Sequence, residues 1–133
     1  MGLPCYRNIQ WQYLYRKRCR KLFDYAFEIG WGAKISILNN SISNNIGIAT
    51  VDNSGSSAIS VWDDAGTEAT IAGNTMTNNS IGVAVVDFTG GSIDPKVIFG
   101  AGNLFDGGDY GIDFQVYGPA SSPNITFTDV FYI

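Results

Sequence analysis

Ile71-Ala-Gly-Asn74-Thr-Met76-Thr-Asn78 is the stretch that decides the fold, because the chain says nearly the same thing twice more. Ile37-Leu-Asn-Asn40-Ser-Ile42-Ser-Asn44 precedes it, and Phe99-Gly-Ala-Gly-Asn103-Leu-Phe105 follows it. Each copy leads through a short turn into Gly-Ile or Gly-Val, at Gly47-Ile48, Gly82-Val83 and Gly111-Ile112. The shared Asn positions lie 34 and then 29 residues apart. Short apolar steps with Asn and Gly corners, repeated at that interval, are the mark of a solenoid whose coils stack.

The middle copy can be written out as one coil. Thr70-Ile71 is a short strand, Gly73-Asn74 a corner, Thr75-Met76-Thr77 a second strand, Asn78-Asn79-Ser80 a corner and Ile81–Val86 a third strand. Alternate side chains of a strand enter the core. One interior row is then Ile42, Met76 and Phe105, and another is Ile48, Val83 and Ile112. Asn at a corner tolerates left-handed backbone and bonds neighbouring peptide groups. Stacked Asn can also bond one another as a ladder, so Asn40, Asn74 and Asn103 read as structural.

Composition agrees with short strands. Of 133 residues 45 % are hydrophobic and only 15 % charged, which suits one domain with a real core and many tight turns. No apolar run approaches the ~18 residues of a membrane-spanning helix. The first 30 residues lack the charged, apolar, small order of a signal peptide. Charge is uneven: seven of the eight Lys and Arg fall in residues 1–34, against two of the twelve acids. The head carries +5 and the remainder −9. The composition changes at Gly30-Trp31-Gly32, dividing a basic segment, 1–32, from a repeat domain, 33–133.

From Trp11 to Ile29 the apolar residues mostly step by three or four, which predicts a helix ended by Gly30 and Gly32. A solenoid end exposes apolar surface and strand edges, so this helix is expected to cap the first coil. The cluster Arg16-Lys17-Arg18-Cys19-Arg20-Lys21 also raises nucleic acid or anionic lipid as partners; the cap is preferred. Cys5 and Cys19 are too far apart for a redox Cys-x-x-Cys, and no His completes a zinc site. Free thiols are expected rather than a disulfide.

The repeat resembles the I-x-x-N-x-I-x-x-N-x-x-G-I pattern of the right-handed parallel β-helix, pectate-lyase-like family. The resemblance covers roughly residues 33–116, with Ile125–Phe131 a weaker partial coil. It implies an all-β, short right-handed parallel β-helix of about three to four coils with the N-terminal α-helical cap. It also suggests a secreted or cell-surface setting and polysaccharide, or neighbouring coils of a longer chain, as partners. The family holds lyases, hydrolases and modules without activity, so the fold does not choose among them.

Val51-Asp52, Trp62-Asp63 and Val86-Asp87 each lead into a Gly-containing turn, where Asp ordinarily accepts backbone N–H groups. Stacked in adjacent coils, Asp52, Asp63 and Asp87 could hold Ca²⁺, the one cofactor the pattern suggests. Asp52 and Asp63 are too close in sequence for a full coil, so residues 53–62 read as a protruding loop and strand. With no His, every imidazole mechanism is absent. Lys96, in what reads as a loop after Pro95, is the body's only cation apart from Lys34 at its edge. The expectation is a non-catalytic structural or carbohydrate-contacting module, with Trp62, Phe88, Tyr110 and Tyr117 as sugar-stacking candidates. The alternative is a fragment of a β-helix polysaccharide lyase or glycoside hydrolase.

Overall fold

The computed structural model describes residues 25–48, 55–62, 66–87, 95–116 and 124–128. Every regular element among them is a strand. These are β1 (Tyr25–Ile29), β2 (Lys34–Leu38), β3 (Ser41–Ser43), β4 (Ser57–Trp62), β5 (Glu68–Ala72), β6 (Thr75–Thr77), β7 (Ile81–Asp87), β8 (Lys96–Phe99), β9 (Leu104–Asp106), β10 (Tyr110–Val116) and β11 (Asn124–Phe127). They form three sheets in the orders β1-β4-β7-β10, β2-β5-β8-β11 and β3-β6-β9. Every pairing between them is parallel. The chain therefore visits the three sheets in turn and stacks each strand on the one three elements earlier.

Register follows the repeat. Ile42 pairs with Met76, and Met76 with Phe105, in the third sheet. In the second, Ile37, Ile71, Phe99 and Phe127 form a column, and the Phe99 and Phe127 rings stack at 5.0 Å. The first sheet contributes Phe27, Ile59, Val83 and Ile112, with Ile29, Val61, Val85 and Phe114 beside them. Most of these side chains join one buried cluster. Residues of β4 and β7 are buried on both faces, which explains the unbroken apolar run from Val83 to Val86.

Three expectations need correction. The helix expected through Ile29 is replaced over Tyr25–Ile29 by β1, paired with β4. Tyr25, Phe27 and Ile29 alternate, so the segment fits a strand as well as a helical face, and pairing supplies every second backbone group with a partner. The rest of the basic head, residues 1–24 with Cys5 and Cys19, lies outside the described residues.

Ile48 is the second correction. It is 65 % exposed and makes an antiparallel bridge to Gly55, so Ile59 takes its place in the row with Val83. The third correction follows from this. Residues 57–62 are no protrusion but β4, buried within the first sheet. Gly47 (φ +107°) turns the chain and the Ile48–Gly55 bridge closes it, while residues 49–54 lie outside the described residues.

Two substitutions test this register. Met76 is 1 % exposed, and Met76→Asp buries an unpaired carboxylate at a cost of several kcal/mol. Circular dichroism should register loss of the cooperative β transition. Ile48→Asp should leave the melt within about 0.5 kcal/mol of the parent, as exposed sites do. The reverse pattern would place the interior row on Ile48.

Candidate functional site

Where the backbone turns a corner, its peptide groups leave the sheets, and asparagine side chains take over. Asn74, fully buried, accepts on Oδ1 from the backbone N–H and from Nδ2 of Asn40, both at 3.0 Å. Asn103 Oδ1 accepts in the same way from Asn74, at 3.1 and 3.2 Å. Nδ2 of Asn74 also donates to the carbonyls of Ile37 (2.8 Å) and Ala72 (3.1 Å), and Nδ2 of Asn103 to that of Ile71 (2.8 Å). Asn40, Asn74 and Asn103 are thus one ladder on the corner between the second and third sheets.

A second ladder stands on the next corner. Asn79 Oδ1 accepts from the N–H (3.0 Å) and Nδ2 (2.8 Å) of Asn45, and Asn79 Nδ2 donates to the Ile42 carbonyl at 3.0 Å. Both residues are buried. Beside them Asn78 Nδ2 donates to Asn44 Oδ1 at 2.8 Å, and both of these residues have positive φ. Sequence reasoning missed this ladder, although its 34-residue spacing repeats that of Asn40 and Asn74.

The aromatic candidates separate. Trp62 ends β4, half-buried, with the Trp31 ring edge-on at 5.7 Å. Trp31 is 76 % exposed and has φ +59°, a conformation that a bulky residue seldom adopts and that tends to mark function. A side chain on Gly30 would meet the Trp62 indole at 3.0 Å, so a glycine lets the two tryptophans close up. Nothing in the sequence but Trp31's place between two glycines pointed to it. Tyr110, 62 % exposed, opens β10 in register with Ile81, whereas Trp62 is in register with Val86. The two therefore sit toward opposite ends of the strands of the first sheet. Phe88 and Tyr117 lie outside the described residues.

Beside Tyr110 a cavity of about 110 Å³ opens between Met76, Asn79, Gly82 and Phe105, with Gly107, Gly108 and Gly111 at its rim. Its glycine rim is exposed to solvent.

Of the candidate calcium ligands, Asp87 closes β7 with its backbone opposite Val116, and Asp52 and Asp63 lie outside the described residues. Among the described residues no three His, Cys, Asp or Glu side chains gather as a metal site would require. Lys96 opens β8 rather than a loop. It stands in an outward column with Lys34 and Glu68, whose Nζ and Oε1 are 3.0 Å apart. Bonding to Lys34 and then its charge hold the Glu68 carboxyl below its ordinary value, partly opposed by desolvation and helped least by the charge of Lys96.

Among family models, curated proteins and solved structures, none matches this chain.

Asn74→Ala removes the acceptor of the Asn40 N–H and Nδ2 and a donor to the Ile37 and Ala72 carbonyls, although Ala72 keeps the Asn39 N–H and Asn40 Nδ2 keeps the Leu38 carbonyl. Buried unsatisfied groups cost about 1–3 kcal/mol each, so a loss of about 3 kcal/mol, roughly 10 °C in melting temperature, is expected. Calorimetry decides it. Glu68, with its lowered folded-state value, contributes stability that is present above the unfolded value near 4.5 and is lost as pH falls through the folded one. Glu68→Gln should flatten the acid limb of stability in low salt, and the difference should vanish at 1 M salt. A parent acid limb that Glu68→Gln leaves unchanged would remove the pair from the account.

Proposed function

We propose that the chain is a right-handed parallel β-helix module without catalytic activity, capped at its start by the basic head, and that it presents aromatic side chains to a glycan. The observation that carries the reading is the in-register stack of three parallel sheets whose polar corner side chains are engaged in holding layer to layer. Right-handed crossing between parallel strands is the strong rule for such connections. The cap is supported by Ile29, Ile37 and Ile42, buried at 3–5 % although β1, β2 and β3 are the terminal strands of their sheets.

A module of this kind offers rigidity and spacing rather than a cleft. Lys96 and Lys34 flank Glu68 in one charge-alternating column instead of converging with carboxylates around a substrate carbon. Trp31 and Tyr110 are the most exposed aromatics among the described residues, and a ring held by the backbone loses little entropy on stacking against a sugar face. A surface-associated protein would use such a stack as a stalk or as a contact with polysaccharide.

The test is affinity electrophoresis of the intact chain through gels containing neutral, acidic and amino-sugar polysaccharides, with reducing ends and unsaturated products measured in parallel. Retardation by at least one polysaccharide without product is expected, with retardation weakened by Trp31→Ala or Tyr110→Ala. Product formation would overturn the non-catalytic reading in favour of a lyase or hydrolase. Free migration in every gel would remove the glycan.

A further inference from the structure

The cavity beside Tyr110 lies where an asparagine ladder stops. In the complete ladder each Asn Oδ1 is clasped by two donors of the preceding layer, a backbone N–H and an Nδ2: Asn40 on Asn74, Asn74 on Asn103. The second ladder repeats this once, Asn45 on Asn79. Asn79 stands 29 residues before Gly108, as Asn74 does before Asn103. Gly108, at φ +117°, is packed so closely over Asn79 that a Cβ would run into the Asn79 carbonyl. The third layer therefore brings no side chain to the ladder position of this corner.

The consequence is a pair of donors left over at the cavity wall. Asn79 uses Nδ2 on the Ile42 carbonyl and Oδ1 on Asn45. Its backbone N–H and second Nδ2 hydrogen, the pair that elsewhere clasps the next Oδ1, have no acceptor among the described residues. Asn79 is 2 % exposed and lines the cavity, whose other walls are the Phe105 ring, Met76 and glycine backbone.

We infer that this cavity is a binding site for an acetamide group, the N-acetyl substituent of a 2-acetamido sugar. Chemistry and size both select it. The ladders themselves define what this corner accepts: a carbonyl oxygen on a planar amide with one carbon behind it. An acetamido group repeats the terminal atoms of an asparagine side chain, its oxygen taking both Asn79 donors and its methyl lying against Phe105 and Met76. A volume of about 110 Å³ is well below the ~300 Å³ at which small-molecule pockets begin, so the ring itself stays outside. It is ample for a substituent, since one water needs only about 10–15 Å³. Outside the rim the exposed Tyr110 ring is placed to meet the sugar face. This assignment rests on the glycan reading and names its sugar class.

The experiment is a ¹H–¹⁵N titration of the whole chain with acetamide, N-acetylglucosamine and its oligomers, and the same oligomers without acetyl groups. Acetamide and the acetylated sugars should shift the Asn79 backbone and side-chain amide signals, with millimolar dissociation constants as befits so small a group. The deacetylated oligomers should leave those signals in place. Gly111→Ala provides the control variant: the nearest atoms its Cβ would meet are Phe105 carbons at 3.5–3.8 Å, ordinary van der Waals contact, so folding is retained while the cavity narrows. Affinity for acetamide should fall at least tenfold at an unchanged melting temperature.

Asn79 signals that no acetylated ligand moves would overturn the site. If acetylated and deacetylated oligomers then bound alike elsewhere, the glycan reading would survive without it. If neither bound, both would fall. A response to acetamide alone, with no sugar shifting Asn79, would overturn the sugar assignment.

Discussion

The buried side-chain amide at each corner is the interaction on which this architecture depends. Within a sheet the parallel strands satisfy one another's backbone groups, but a corner takes the chain out of the ladder with its peptide groups still buried. Leaving such groups bare costs kcal/mol apiece. Asn74 meets the cost from one residue, making five hydrogen bonds to four residues in three layers. Because those partners are fixed positions of the neighbouring layers, the same bonds also set register. A slip by one residue would break them as surely as it would turn Met76 to solvent.

Register fixed at the corners propagates outward. Side chains on the outer faces must stack at the ~4.8 Å spacing of adjacent strands, where like charges repel. Lys34, Glu68 and Lys96 alternate in sign along their column, and the excess negative charge of the repeat domain is carried elsewhere. The exposed pair itself contributes little stability; its arrangement avoids a penalty. The groups left over for function are those the stack does not need, which is why Trp31 and Tyr110 stand out.

Much of the stack was legible in the chain because its side chains recur with its layers. Asn40, Asn74, Asn103 and the row Ile42, Met76, Phe105 needed only matching of three stretches. β1 was not, since Tyr25-Ala-Phe27-Glu-Ile29 satisfies both a helical and an alternating pattern, and only the presence of β4 chooses. Ile48 misled because Gly47-Ile48 matches the repeat while the row passes to Ile59, beyond the Ile48–Gly55 bridge. The carboxylate motif stands apart, since Asp52 and Asp63 lie outside the described residues. The cavity left the faintest trace of all, a glycine at the position where the repeat calls for an asparagine.

The two ends of the stack differ in a way that bears on that cavity. Ile29, Ile37 and Ile42 at one end are buried, while Phe114 and Phe127 at the other are 46 % and 48 % exposed. In a layered fold each layer is held by its neighbours, so a layer flanked on one side opens most easily. The cavity spans the step between Asn79 and Gly108, where backbone bonds remain but the asparagine bond found at the other corners is replaced by glycine. An acetamide seated there would supply that bond from outside the chain. Binding and the ordering of the last layer would then be one equilibrium, with ligand affinity appearing as stability of the layer beside it.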